Sequence, residues 1–289
     1  MHTYNPHMVA QVDSGGVSFR KMHGLGNDFV VLDTRSAALT LTPESAKAIA
    51  DRRTGVGCDQ ILIIEAARNG GDAFLAIRNA DGGVVASCGN GSRCVARLLL
   101  DESGKDEIVL ETVAGPVIAK AVPGDLIAVD MGPAYDAWQD IPLAREADTL
   151  HLQINEGPLR DPVAVGVGNP HIVFFVDNAE AVDLAAAGPK LEHHPLFPER
   201  ANVEVVQVLS RTHLRMRVWE RGVGITRACG TGACATLVAA VRRGLADRKA
   251  IVSLDGGDLE IEWRDDGHII MAGPATETFT GTLDQGLVS

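Results

Sequence analysis

Cys88-Gly89-Asn90-Gly91-Ser92-Arg93-Cys94 leads into Val95, Ala96, Leu98, Leu99 and Leu100, and Cys229-Gly230-Thr231-Gly232-Ala233 leads into Ala235, Leu237, Val238, Ala239, Ala240 and Val241. Each stretch is a cysteine and a Gly-x-Gly loop that opens an apolar run, which predicts a buried helix. Glycines let the backbone turn its free N–H groups toward a ligand, and a helix N-terminus carries partial positive charge. A cysteine at that position is expected to have a lowered pKa, fitting it to act as base or nucleophile near neutral pH.

The two stretches lie 141 residues apart, and other landmarks repeat at nearly the same interval. Asn27 to Asn169 and Gln60 to Asn202 are each 142 residues; Asn79 to Glu220 and Gly132 to Gly273 are each 141. Five landmarks in one order at one spacing predict an internal duplication. The repeated units are expected at about 17–134 and 160–275, with 276–289 a closing strand. As domains this gives a disordered leader over 1–16, an N-terminal domain over 17–134 joined by 276–289, and a C-terminal domain over 135–275.

Around the loops the pattern alternates short strands with turns. Strands are expected near 17–21, 29–32, 60–65, 72–78, 108–112, 116–122 and 126–131. The second copy has them near 163–167, 172–176, 201–208, 214–219 and 269–271. Thr42-Pro43-Glu44-Ser45 has the cap-then-proline form of a helix start, and a further helix is expected over 179–190. The fold class is therefore α/β (α+β), two pseudo-symmetric domains, each with a sheet around a central helix. A pseudo-two-fold relation between the copies would turn the two cysteine loops toward one another across a cleft.

Composition narrows the function. The chain has 289 residues, 46% hydrophobic, and a formal net charge of −12. An acidic surface argues against nucleic acid or anionic membrane as partner, and no apolar run is long enough to span a bilayer. The first sixteen residues lack a secretory apolar segment. Five cysteines in a chain of this size suit a reducing cytoplasm better than a disulfide framework. The spacing of Cys88, Cys94, Cys229 and Cys234 does not suit zinc, and the Gly-x-Gly pairs lack a dinucleotide fingerprint. No metal and no cofactor are expected.

Two matching cysteines suggest chemistry at one acidic carbon. A thiolate removes a proton from one face, and a thiol on the other delivers one, so that the stereocentre inverts. A carboxylate held by helix N-termini would be stabilised as negative charge grows on it. Asn27, Gln60, Asn79, Asn169, Asn202, Glu220 and Arg221 cluster at repeat positions and would suit a ligand with ammonium and carboxylate groups at both ends. Arg221 can fork onto a distal carboxylate.

Gly24-Leu25-Gly26-Asn27-Asp28-Phe29, Gly57-Cys58-Asp59-Gln60, Asn79-Ala80-Asp81-Gly82, Gly168-Asn169-Pro170-His171, Ala201-Asn202-Val203 and Glu220-Arg221-Gly222-Val223-Gly224, together with the two cysteine loops, resemble the diaminopimelate epimerase family. The resemblance covers about residues 18–283. It implies cofactor-independent interconversion of LL- and meso-diaminopimelate, serving lysine and peptidoglycan biosynthesis. It places the catalytic cysteines on Cys88 and Cys229 and the auxiliary residues on His171 and Glu220. Substrate contacts fall on Asn27, Gln60, Asn79, Gly89, Asn90, Asn169, Asn202, Glu220, Arg221, Gly230 and Thr231. It further implies curved, mostly antiparallel sheets around a central helix and a homodimer. Ile225 and Ile172 depart from the commonest family wording. A proline or hydroxyproline racemase would have less use for Arg221 beside Asn79, Asn169 and Asn202. A phenazine-type isomerase lacks the cysteines, and a non-catalytic binder would leave the substrate's α-proton in place.

Overall fold

In the computed structural model, residues 16–37 and 39–288 are described. They fall into two compact units, one through Val129 and again from Pro274 onward, the other Asp130–Gly273. Residues 1–15 of the expected leader lie outside the described residues, but Gly16 does not belong to a leader: it opens the strand Gly16–Gly24. Its place there follows from pairing, since Gly16 aligns with Asp284 in the antiparallel ladder with Thr276–Asp284.

The first unit is a mixed, mostly antiparallel sheet. Gly16–Gly24 pairs antiparallel with Asn27–Asp33, which pairs parallel with Gln60–Glu65. Gln60–Glu65 pairs antiparallel with Ala73–Asn79, which runs parallel to Glu107–Thr112. The antiparallel strands Gly115–Val122 and Leu126–Pro133 follow. Helix α1 (Pro43–Ala50) starts where Thr42 Oγ1 accepts from the Ser45 N–H, with Pro43 in its first turn. Helix α2 (Gly89–Ser103) ends at Gly104, whose φ of 67° supplies the left-handed cap. Val95, Ala96, Leu99 and Leu100 of α2 are buried, and the helix packs against strands from Gly16–Gly24 to Gly115–Val122.

The second unit repeats the same ladder order. Val163–Gly166 pairs antiparallel with Pro170–Phe175, and that strand parallel with Asn202–Ser210. Asn202–Ser210 pairs antiparallel with His213–Glu220, which runs parallel to Lys249–Leu254. Gly257–Trp263 and His268–Gly273 complete it. Helix α4 (Gly230–Arg242) is enclosed by strands of this sheet and buries every residue from Gly232 to Ala240. The fold is thus a sheet-dominated α+β arrangement of two repeated units, as the sequence pattern anticipates.

Three local readings change. The helix expected over 179–190 is a short 3-10 turn at Ala179–Ala181 followed by α3 (Leu184–Glu192). Asp183 accepts from the Ala186 N–H and restarts the helix, while Val182 between them is extended. The hairpin Lys249–Leu254 and Gly257–Trp263 was not anticipated, although its alternating burial and its Asp255-Gly256 corner match the hairpin Glu107–Val122 of the first unit. The segment before residue 160, where no strand or helix was expected, belongs to the core. Ile141, Leu143, Leu152, Ile154 and Leu159 are buried against Phe174, Leu191 and Phe197.

Candidate active site

Cysteine is an unusual helix cap, yet both long helices use it. Cys88 (φ −148°, ψ 109°) and Cys229 (φ −134°, ψ 110°) are extended residues immediately before α2 and α4. Cys88 Sγ accepts from the Gly91 N–H at 3.4 Å, and Cys229 Sγ accepts from the Gly232 N–H at 3.4 Å. Sulfur takes the place usually held by a serine, threonine or aspartate oxygen. The next N–H groups, those of Gly89, Asn90, Gly230 and Thr231, have no intrahelical carbonyl to bind and are available to an anion.

In the first unit the sequence-predicted amides meet one another. Asn90 Nδ2 donates to Asn27 Oδ1 at 3.2 Å, and Asn27 Nδ2 donates to Asp59 Oδ2 at 2.9 Å. Gln60 Nε2 donates to Asn79 Oδ1 at 2.9 Å, the two being register partners on adjacent strands. Gln60 Oε1 and Asn90 Oδ1 are buried acceptors that no protein donor meets. The corner is anchored by Asp28, which Lys21 and Arg52 both bind. Burial would raise the Asp28 carboxyl, but hydrogen bonds and charge from Arg52 and Lys21 win and hold it at about 2.

The second unit carries charge where the first carries amides. His171 Nδ1 lies 2.7 Å from Glu204 Oε1, and His171 Nε2 lies 2.8 Å from Asn169 Oδ1. Asn169 Nδ2 donates to Thr231 Oγ1 at 3.4 Å, and Thr231 Oγ1 lies 3.6 Å from Cys229 Sγ. Glu220 accepts from Thr226 Oγ1, and its charge acts on the Cys229 thiol. Asn202 Oδ1 accepts from the Arg221 N–H at 2.9 Å, pinning the turn that carries the guanidinium. Arg221 Nη1 donates to the Glu199 carbonyl at 2.8 Å, so the side chain is held at its rim rather than folded against Glu220.

The expected lowering of thiol pKa does not hold for Cys229. Burial, then the carboxylates of Glu220 and Glu204, push its thiol well above the ordinary value, against smaller contributions from Thr231 and the Gly232 N–H. The helix end is real, but desolvation and two acidic neighbours outweigh it. Burial also raises Glu220 and Glu204, the latter opposed by His171. Cys58 and Cys94 are buried thiols raised to about 11 and about 12 by desolvation, which makes them inert packing groups.

Glu204 escaped the sequence reading. It is fully buried in a strand whose first five residues are all buried. The signal was available, because a lone carboxylate inside Val203-Glu204-Val205-Val206 has no solvent-facing place to go. Glu192 was also missed, and its polar flanks Lys190, His193 and His194 give no such signal. It accepts from Trp219 Nε1 at 2.7 Å and from the Gly222 N–H at 2.9 Å, bracing the Glu220–Gly222 turn. Among the described residues no group of three or more His, Cys, Asp or Glu could hold a metal ion.

The family model for diaminopimelate epimerase matches residues 19–136 and 163–278, one stretch in each unit. The chain is 58% identical to a diaminopimelate epimerase of Rhodospirillum centenum over 93% of each chain. It is 51% identical to one from Acidiphilium cryptum, over 94% of this chain and 98% of the relative. Among solved structures, a phenazine biosynthesis protein of the PhzF family from Bacillus anthracis superposes with a TM-score of 0.67 at 16% identity, covering 92% of this chain and 98% of that one. A hydroxyproline epimerase from Agrobacterium vitis superposes with a TM-score of 0.63 at 18% identity, covering 94% of each. At those identities the structures share the fold alone.

Proposed function

This chain belongs to the diaminopimelate epimerase family, and on that footing we propose that it interconverts LL- and meso-2,6-diaminopimelate by proton transfer through Cys88 and Cys229. The observation that carries the reading is the repeated cap: two cysteines, one per unit, each with its sulfur on the third N–H of a buried helix. In one direction a thiolate takes the α-proton and becomes a thiol. The electron pair left behind spreads into the substrate carboxylate, and the other thiol gives its proton to the opposite face and becomes the thiolate. The reverse reaction exchanges the roles. Proton and charge are conserved without a cofactor.

First-turn N–H groups of Gly89, Asn90, Gly230 and Thr231 would hold the reacting carboxylate as charge grows on it. Asn27, Gln60, Asn79, Asn169 and Asn202 would bind the polar ends of the substrate, with Arg221 taking the distal carboxylate. His171 and Glu220 act as auxiliary residues that set the protonation of Cys229. The raised thiol of Cys229 supports its resting as the proton donor. Diaminopimelate as the small-molecule substrate, a cytoplasmic lysine and peptidoglycan precursor pathway, and a homodimeric state complete the reading.

The test is turnover in deuterium oxide with purified LL-diaminopimelate. Deuterium should enter the α-carbon as the meso isomer forms, and hydroxyproline should not turn over. Retention of the original α-proton would reduce the protein to a binder, and exchange in hydroxyproline alone would move it to the racemase class.

A further inference from the structure

The duplication supplies an internal control for the buried pair beneath Cys229. His171 is the register partner of Asn202, just as Phe29 is the register partner of Gln60. His171 therefore stands where Phe29 stands in the first unit, and Glu204 stands where Leu62 does. Glycines at the third position of the two helices report the same equivalence. A Cβ added to Gly91 would meet Leu62 Cδ2 at 2.9 Å, and one added to Gly232 would meet Glu204 Oε1 at 2.9 Å. One copy closes this architecture with phenylalanine and leucine; the other uses a histidine and a glutamate, both with no exposure. A buried acid–base pair is no more stabilising than apolar residues of similar volume. Fold closure alone does not account for it.

The Asn169 amide, with its oxygen toward the ring, sets the proton on one side of His171. Glu204 Oε1 and Asn169 Oδ1 flank the two nitrogens of His171 at 2.7 and 2.8 Å. A carbonyl oxygen only accepts, so His171 Nε2 must carry a hydrogen toward Asn169. The contact on the other side needs a proton as well, donated by Nδ1 or by the carboxyl of Glu204. With its oxygen bound to His171, the amide of Asn169 has its nitrogen turned to Thr231, beside Cys229. Glu220 from the strand His213–Glu220 and Cys229 from α4 are the other titratable groups facing the pair. Glu204 Oε2 is buried with no hydrogen-bond partner, a cost the first unit does not carry at Leu62.

We propose that Glu204 is a positioning residue for substrate binding: by keeping the hydrogen on His171 Nε2 it locks the Asn169 amide with its nitrogen as the donor offered to a substrate carboxylate. This rests on the reading of Asn169 as a substrate contact. Glutamine can replace the acid, because its amide N–H donates to His171 Nδ1 and leaves the hydrogen on Nε2. Leucine cannot. The freed imidazole then moves its hydrogen to Nδ1, and the Asn169 amide turns over to donate to Nε2.

The experiment measures KM and kcat for diaminopimelate, thermal midpoint and the ring-nitrogen NMR shifts of His171 in Glu204→Leu, Glu204→Gln and His171→Phe/Glu204→Leu, the shifts being read where His171 remains. His171→Phe/Glu204→Leu should keep the wild-type midpoint or exceed it, whereas Glu204→Leu, which strips one partner from a buried pair, should lower it. The KM of Glu204→Leu should rise about tenfold or more, the loss of a hydrogen bond to a charged group, with hydrogen on Nδ1. Glu204→Gln should stay within about threefold of wild-type KM, with hydrogen on Nε2. Wild-type KM in Glu204→Leu, or a Gln variant as impaired as Leu, overturns the proposal. Should Glu204→Leu fail to fold, the double variant, which rebuilds the Phe–Leu pair of the first unit, carries the same expectation for KM. Absence of diaminopimelate turnover in the wild-type protein would overturn the functional reading instead, and the His171 shifts would still decide whether Glu204 sets the proton.

Discussion

Removing the Glu220 carboxylate should make Cys229 a stronger acid. The carboxyl is the larger of the two charges that raise the thiol. Two unit charges about 4 Å apart interact by about 4 kcal/mol at an effective dielectric of about 20, equivalent to about three pH units. That is a ceiling for a fully ionised carboxylate, and burial works against ionisation of Glu220. Glu220→Gln keeps the shape and an acceptor and should lower the midpoint for Cys229 ionisation by about one to two pH units. Thiolate absorbance is titrated in a Cys88→Ser background, and the contribution of Cys229 is taken by difference from the Cys88→Ser/Cys229→Ser protein. Glu262→Gln, on a half-exposed residue paired with Lys249, changes net charge equally and should leave the curve where it is. An unmoved midpoint in Glu220→Gln, or one displaced to higher pH, refutes the argument that this carboxylate keeps the thiol protonated.

Two further outcomes separate chemistry from folding. Cys88→Ser and Cys229→Ser should each lower turnover by about a thousandfold or more while leaving thermal midpoints at or above wild type, since serine is the better N-cap; an active single variant would end two-base catalysis. Asp28 has a folded pKa of about 2, below its ordinary value of 3.8. The stability it contributes is therefore complete above about pH 4 and is lost as pH falls through about 2. With the exposed Arg52 arm discounted for screening, this amounts to about 1–2 kcal/mol. Asp28→Asn should remove that amount at pH 7 and flatten the acid limb of a urea-unfolding series; an unchanged acid limb would show that the Lys21–Asp28–Arg52 cluster contributes nothing to the fold.

The sequence carried the duplication because the features that define each unit are short-range. A cysteine cap, two glycines and an apolar helix must occur together wherever a buried helix begins at a ligand. Gln60 and Asn79 could be singled out one at a time, since turn and strand-end amides stand out against apolar neighbours. Their mutual hydrogen bond could not, because cross-strand register depends on the whole ladder. Residues 179–190 misled for a different reason. Ala179, Val182 and Ala186 have helical spacing, but Asp183 competes for backbone N–H groups and starts a new helix instead of continuing the old one.

The failure at Cys229 is the most instructive, because the local rule was sound and the surroundings reversed it. A helix N-terminus favours a thiolate by a modest amount, and this is all that Cys229-Gly230-Thr231-Gly232 can reveal. The charges of Glu204 and Glu220 come from strands 25 and 9 residues earlier in the chain, and they reach the thiol only once the sheet is assembled. The first unit puts Leu62 and Asn79 at the matching places, so the two cysteines have one backbone geometry and different electrostatics. Two-base racemisation needs one sulfur with its proton and one without, and the direction of reaction decides which is which. The burial and charge around Cys229 therefore bear on the balance between the two forms of the free enzyme.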